Sequence, residues 1–207
     1  MIESDQNGAR VAGTHIEFGA FPAYVRSHIA HVPSTLDTET VALRLVAHGF
    51  RQADVATFVR AVCKWGGYAG IGGRVLGRNQ PWELVDAFRG AAADVGAGVD
   101  VAIRRLLRLH GLGVSFASKH LRFLAPRVCA IMDTKMAAAT GLQQSAAGLA
   151  HYSALCCGLA GRLEERRTPN PMNRPEGRWY AADVEMALFA VARRWAPMKR
   201  GLTARRT

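Results

Sequence analysis

The chain has 207 residues, enough for one domain with a substantial core or for two small lobes. Its net charge of +11 and pI of about 10.4 are typical of nucleic-acid-binding proteins, although an Ala- and Arg-rich composition alone also raises the pI. No apolar run is long enough to cross a membrane and no signal peptide is recognisable, so we expect a cytoplasmic protein.

The first third of the chain predicts helices only after its N-terminal segment. Residues 1–15 show no periodicity, and we expect them to be mobile. Residues 16–25 could be extended, but Pro22 and the isolation of the segment argue against a sheet. Apolar spacing then predicts helices over about 39–48 and 52–64.

A glycine-rich segment, WGGYAGIGGRVLGRNQP at 65–81, follows the second of these helices. We interpret it as a loop in which glycines beside Trp65 and Tyr68 let a nucleic-acid base approach and stack. The alternative is an ordinary interhelical loop with Trp65 in the core. Pro81 suits the first turn of the next helix, which is predicted at about 82–94.

The most informative segment covers residues 99–136. Apolar spacing predicts a helix over 99–107, a hairpin at Gly111 and Gly113, and a second helix from Val114. Free amides at the start of the second helix form an anion site, and one face of that helix continues it with hydroxyls and cations: Ser115, Ser118, Lys119 and Arg122. This arrangement predicts that the hairpin and the polar face of the second helix bind a phosphodiester backbone. The alternative is a simple helix C-cap and turn.

Asp133 stands 18 residues after Ser115, at the predicted start of a third helix. Aspartate is a common helix N-cap, so a purely structural role is the simplest alternative. A carboxylate delivered beside a phosphate-binding hairpin also suits chemistry on a nucleotide. A dinucleotide-binding fold is a poorer interpretation, because Phe116 replaces the third glycine of its fingerprint and no strand precedes the loop.

Beyond this segment the sequence predicts two further helices and a basic C-terminus. The helices cover about 145–163 and 179–195, and a proline-rich polar loop at 164–178 joins them. Residues 196–207 form a basic tail without acidic residues.

Residues 99–136 resemble the helix-hairpin-helix DNA glycosylase superfamily, the HhH-GPD fold. The hairpin HGLG at 110–113 corresponds to the Pro-Gly-Val-Gly type of hairpin in that family, with His110 in place of the proline. Ser115 stands where the bifunctional 8-oxoguanine enzymes carry a lysine, and the mismatch-adenine glycosylases also have serine there. An apolar pair, Ile131 and Met132, precedes Asp133 as in the family.

The resemblance implies an all-α, two-lobed HhH-GPD-like unit over residues 1–207, with the helix-hairpin-helix at about 99–124. It implies a monofunctional DNA N-glycosylase that flips a nucleotide out of double-stranded DNA. The ionised carboxylate of Asp133 would stabilise the oxocarbenium-like sugar and assist attack by water. Trp65 and Tyr68 would form the base pocket. The residues expected to hold DNA are His110, Gly111, Gly113, Ser115, Ser118, Lys119 and Arg122.

The resemblance leaves the substrate open between two kinds of base. One is an oxidised base such as 8-oxoguanine, and the other is a hypermodified phage base, which would place the protein in antiviral defence. We expect a monomer with no organic cofactor, and a monovalent cation at the hairpin is an option in the family. The cysteines lack the spacing of an iron–sulfur cluster or another metal site, and we expect reduced, mostly buried thiols at Cys63, Cys129, Cys156 and Cys157.

Two other functions stay open at this stage. One is a non-catalytic helix-hairpin-helix module that binds DNA, in which Asp133 is only a helix cap. The other is a helical domain that binds protein and whose charge is incidental. Lys119 lies one turn beyond Ser115, so it is also the residue that could supply lyase chemistry despite the serine.

Overall fold

A computed structural model describes residues 2–194 of the chain, and most of these residues are helical. The mainly helical class predicted from the sequence is therefore confirmed. The α-helices of the described part are α1 (Phe21–His31), α2 (Ser34–Ala47), α3 (Gln52–Trp65), α4 (Ala69–Arg78), α5 (Pro81–Asp94), α6 (Val99–Leu106), α7 (Val114–Leu124), α8 (Thr134–Thr140), α9 (Ala146–Glu165) and α10 (Ala181–Ala192).

A small antiparallel sheet occupies the N-terminus, where we expected a mobile segment and no strands. Its strands are β1 (Glu3–Ser4), β2 (Gly8–Val11) and β3 (Thr14–Glu17), in the order β1-β2-β3. Ala12 and Gly13 connect β2 to β3 with φ of 50° and 77°, the left-handed backbone of a tight hairpin turn. The expectation was wrong because strands this short carry too few residues for a clear alternating pattern.

The helix boundaries correct two further predictions. The segment 65–81 is not a loop throughout, since α4 covers most of it. Packing overrides the poor helix propensity of glycine there, because Gly72 lets α4 approach Cys63 and the backbone of α3 closely. Segment 16–25 enters α1, where Pro22 stands in the first turn, a position that needs no amide hydrogen.

The other helices agree with their predicted positions to within a few residues. α2 begins at Ser34, earlier than predicted, while α3 and α5 match closely. The last predicted helix, 179–195, is observed as α10 (Ala181–Ala192). The predicted basic tail, 196–207, lies outside the described residues.

α7 lies at the centre of the helical array. It contacts α2, α3, α5 and α6, and one contiguous cluster of buried apolar side chains surrounds it. Side chains on several faces of α7 are therefore enclosed, and polar residues of this helix are buried as well. The cysteines Cys63, Cys129 and Cys156 are buried, Cys157 is half-buried, and all four are unpaired.

None of the helices within residues 2–194 combines the length and apolar character needed to cross a membrane.

Candidate active site

The hairpin between α6 and α7 is exposed and held from one side by Asn79. The Asn79 side chain accepts a hydrogen bond from the amide of His110 at 2.8 Å and donates to the His110 carbonyl at 3.0 Å. It also donates to the Val75 carbonyl at the end of α4. Asn79 therefore fixes the hairpin against α4, a role that its sequence context did not indicate.

Both hairpin glycines leave the backbone open to solvent. Gly111 has φ of +91°, a conformation that favours glycine. Gly113 is extended, and a β-carbon built on it would meet no protein atom within 4 Å. Within the described chain, the amides of Val114 and Ser115 at the start of α7 find no backbone or side-chain acceptor. This end of α7 can therefore accept an anion from outside.

The polar face predicted on α7 does not form a continuous outer surface. Ser118 is fully buried: its hydroxyl donates to the Ser115 carbonyl at 3.0 Å and accepts from the Met132 amide at 3.1 Å. It thereby positions the strand-like segment just before Asp133. The prediction that Ser118 contacts phosphate is wrong, because neighbouring elements enclose its side chain.

Arg122 is also fully buried, so the same correction applies to it. Its Nη1 lies 2.9 Å from Oε1 of Glu39 on α2, in an orientation that does not make a hydrogen bond. Arg174 binds the other Glu39 oxygen at 2.8 Å and Asp183 at 2.6 Å. Burial alone would raise the pKa of Glu39, but Arg174 and Arg122 hold it below its usual value. Arg122 therefore belongs to a buried ionic network.

Asp133 is the N-cap of α8, and its Oδ1 accepts a hydrogen bond from the Met136 amide at 2.9 Å. The second carboxylate oxygen, Oδ2, points elsewhere and lies 3.6 Å from Nζ of Lys119. The side chain is 19 % exposed. The capping role expected from the sequence is present, and it leaves one oxygen of the carboxylate available to a ligand.

Lys119 turns inward rather than along the surface. Its Nζ donates to the Ser115 hydroxyl at 3.1 Å and lies 4.9 Å from the centre of the Phe116 ring. Burial lowers the pKa of Lys119 below its usual value, and the Asp133 carboxylate opposes that effect. Lys119 is thus one of the charges at Asp133, and contact with an outer phosphate is not its observed role.

A cavity of about 370 Å³ opens beside Asp133, within the range of small-ligand sites. Trp65 and Tyr68, the residues predicted for a base pocket, both line it. Trp65 donates to the Thr35 hydroxyl at 3.0 Å and packs edge-on against Phe123, so it is a fixed wall. Tyr68 is 68 % exposed and stands at the opening.

The cavity residues that were not predicted from the sequence include His28 on α1, and Glu185 and Phe189 on α10. His28 is buried, and its Nε2 has no hydrogen-bond partner in the described chain. Burial, with a contribution from Arg122, lowers the pKa of His28 to about 4. Glu185 was detectable in principle, since α10 is apolar almost throughout and a charged residue in such a helix is unusual.

The assembled site joins two features that the sequence placed only in order along the chain. The hairpin presents amides that suit a phosphate, and the adjacent cavity offers flat aromatic walls beside a carboxylate and an amine. Among the described residues, no group of three or more histidine, cysteine or acidic side chains is arranged to hold a metal ion. Comparisons with protein-family models, with curated proteins and with solved structures returned no match.

Proposed function

We propose that the protein is a DNA N-glycosylase, which removes a base from a nucleotide flipped out of the duplex. One observation carries the proposal: a half-buried carboxylate, Asp133, borders an aromatic-walled cavity immediately beside an exposed helix-hairpin-helix turn. A base inside a duplex cannot reach such a cavity, so extrusion of the nucleotide would have to precede the reaction.

The chemistry follows from charge. Loss of the base leaves positive charge on the sugar, and a fixed carboxylate stabilises such an oxocarbenium-like centre. The hydrogen bond from Met136 holds one oxygen of Asp133, while Oδ2, which pairs with Lys119 at 3.6 Å, is the oxygen that would face the sugar or the attacking water. The ordered capping interaction keeps the carboxylate in place without reorganisation during the reaction.

Binding would use the hairpin rather than the buried face of α7. The amides at the start of α7 and the open backbone at Gly111 and Gly113 suit a phosphate next to the flipped nucleotide. A monovalent cation at the hairpin would add to this grip. The basic composition would contribute attraction to DNA that is independent of sequence.

The test is direct identification of a released base. The protein is incubated with genomic DNA from phages with modified bases and with oligonucleotides that carry oxidised bases, and released bases are identified by mass spectrometry. Asp133→Asn preserves size and the helix cap, so it should fold normally and bind DNA, while base release falls by about 10²- to 10⁴-fold. Wild-type-like release by Asp133→Asn would refute the assignment of Asp133. Salt-dependent DNA binding without any base release would instead indicate a non-catalytic binding module.

A second activity, cleavage of the DNA strand after base removal, is supported by one observation, the position of Lys119. With serine at position 115 we propose a hydrolytic enzyme that leaves an intact abasic site. Lys119, however, places its amine beside both Ser115 and Asp133, and its burial increases the fraction of uncharged, nucleophilic amine. Borohydride reduction during turnover distinguishes the two reactions. A covalent protein–DNA adduct that disappears in Lys119→Met would identify a lyase, and absence of an adduct would identify hydrolysis.

A further inference from the structure

The inner end of the cavity is occupied by the side chain of Glu185 on α10. The residue is 2 % exposed, whereas Tyr68 at the opening is 68 % exposed. No side chain or amide in the described chain donates a hydrogen bond to the Glu185 carboxyl group. A buried carboxyl group without such a donor is unfavourable for folding, and a fold that retains it at a cavity wall offers it to a ligand.

Groups of both signs surround Glu185, so its environment does not simply favour an anion. Arg122 and Lys119 of α7 are the nearby positive charges, and Asp133 is the nearby negative charge. α9 and the segment before α8 contribute uncharged neighbours, and α1 contributes His28 on the cavity wall. The titratable neighbours are Lys119, Arg122, Cys129, Asp133, Tyr152 and Cys156.

Among Glu185, His28 and Lys119, the three buried titratable groups of the cavity wall, Glu185 is the one that can donate a proton at neutral pH. Burial raises the pKa of Glu185 to about 8, although Arg122 opposes the shift, so the carboxyl group is protonated. His28 is neutral and lacks a proton to give as an imidazolium, because its pKa is lowered to about 4. Lys119 is already engaged by Ser115 and Asp133.

We propose, on the basis of the glycosylase function above, that Glu185 is the general acid that protonates the departing base. We further propose that this base carries, on the edge farthest from the sugar, a ring nitrogen without hydrogen next to an exocyclic amino group, as cytosine-type and adenine-type bases do and 8-oxoguanine does not. Two carboxylates in one cavity would then divide the work between an acid and an anion, a division that glycoside-cleaving enzymes use.

The orientation of a bound nucleotide supports this pairing. The sugar is joined to the backbone outside the cavity and must lie near Asp133, so the edge of the base farthest from the sugar meets Glu185. In cytosine-type and adenine-type bases that edge carries the unprotonated nitrogen and the amino group. An undissociated carboxyl group donates through its O–H and accepts through its C=O, so it complements both groups at once.

The reaction then balances without a cofactor. The Glu185 proton moves to the ring nitrogen, and the glycosidic bond breaks with its electron pair passing to the base, which leaves uncharged. Water adds to the cationic sugar carbon beside Asp133 and loses its proton to that carboxylate. Asp133 returns the proton to solvent, and Glu185 regains one from solvent after the base leaves. Arg122 stabilises the Glu185 carboxylate in the interval.

The test compares three proteins on three substrates. The proteins are the wild type, Glu185→Gln and Glu176→Gln, where Glu176 is an exposed carboxylate on a surface loop and serves as the matched control. The substrates are duplexes that carry glucosylated hydroxymethylcytosine, mispaired adenine or 8-oxoguanine. Single-turnover rates of base release are measured from pH 6 to pH 10, and DNA affinity is measured in parallel.

We expect release of a cytosine-type or adenine-type base by the wild type and by Glu176→Gln, with a rate that falls about tenfold per pH unit above pH 8. Glu185→Gln should lose about 10²- to 10⁴-fold in rate, lose this alkaline decline and keep its DNA affinity. A structural role would not move the pH profile, which is measurable on the wild type even if the variant misfolds.

The outcomes distinguish a failure of the proposed role of Glu185 from a failure of the proposed glycosylase function. If Glu185→Gln kept the wild-type rate and pH profile while Asp133→Asn was inactive, Glu185 would not be the general acid, but the glycosylase function would still hold. Release of 8-oxoguanine alone would overturn the proposed class of base. No base release by the wild type from any of these DNAs would overturn both the function and the role of Glu185.

Discussion

Two clusters of buried charge begin one turn apart on α7, and they differ in how completely their charges are paired. In the closed cluster, formed by Arg122, Glu39, Arg174 and Asp183, each carboxylate lies within 2.9 Å of a guanidinium. In the open cluster, formed by Lys119, Asp133, Glu185 and His28, the one ion pair is longer, at 3.6 Å. Glu185 is buried at the cavity wall, and Nε2 of His28 has no hydrogen-bond partner among the described residues.

The two clusters show how buried polar residues on one helix can serve different purposes. The closed cluster ties α2, α7, α10 and the loop before α10 together, and none of its four residues lines the cavity. The open cluster lines the cavity. Buried atoms without a hydrogen-bond partner occur in both clusters, but Arg122 of the closed cluster lies away from the cavity, whereas His28 of the open cluster lines it. Buried charges with close counter-charges and no access to the cavity indicate a structural role, whereas loosely paired buried groups that line a cavity indicate a ligand site.

The largest expected effect comes from breaking the closed cluster. Glu39→Gln should lower the free energy of unfolding by about 3–5 kcal/mol, because it leaves Arg122 buried without its counter-charge. Glu185→Gln is the matched control, since it makes the same chemical change at a buried site in the open cluster. Chemical denaturation at pH 7 should show no comparable loss for Glu185→Gln. Equal losses in both variants would mean that the two clusters do not differ in the way described.

The next effect is a pH dependence of stability that belongs to the open cluster. Folded Glu185 keeps its proton up to about pH 8, whereas a glutamate in the unfolded chain releases it near pH 4.5. The folded state therefore binds more protons between these values, and its contribution to stability decreases as pH rises through that window. Glu185→Gln removes this pH-dependent contribution. The free energy of unfolding of the variant, relative to that of the wild type, should therefore rise from pH 4.5 to pH 8 by a few kcal/mol, at about 1.4 kcal/mol per pH unit.

His28 provides the opposite control within the same cluster. The pKa of His28 is about 4 in the folded protein and 6.5 in the unfolded chain, so between these pH values the unfolded state binds more protons than the folded state. Stability should therefore be lost as pH falls from 6.5 towards 4, and His28→Gln should reduce that loss. Unfolding curves of the wild type and the two variants over pH 4–9 measure both trends. Parallel curves for all three proteins would contradict the pKa directions of the open cluster.

The smallest effect on stability, and a selective one on binding, is expected at the hairpin that borders the open cluster. Gly113→Val should change the free energy of unfolding by less than about 1 kcal/mol, since the added atoms extend from a β-carbon in open space. It should weaken DNA binding at every salt concentration by obstructing the approach of a phosphate to the α7 amides. Gly70→Ala, at another open position, serves as the control. Normal DNA affinity in Gly113→Val would place the DNA-binding surface elsewhere.

Local sequence patterns were enough to locate the helices, the hairpin and the helix cap around the site. Apolar periodicity located α3 and α6 because each of these helices buries one face, and such a face repeats every three to four residues. It also located α7, although that helix is enclosed on several faces. The hairpin glycines and the cap at Asp133 were also readable, since turns and caps depend on a few neighbouring residues. Trp65 and Tyr68 were placed at one cavity on the basis of their glycine-rich surroundings.

What the polar residues of these elements contact depends on packing between segments that are distant in the chain. Helical spacing put Ser118, Lys119 and Arg122 on one face, but it carried no information on whether water, DNA or protein meets that face. Glu39 and Asp183 approach from distant parts of the chain and make the interior of the helix array acceptable for arginine. Glu185 entered the cavity wall by the same long-range packing. Burial of a charge depends on partners that are remote in sequence, so local patterns could predict the helix and not the environment of its charges.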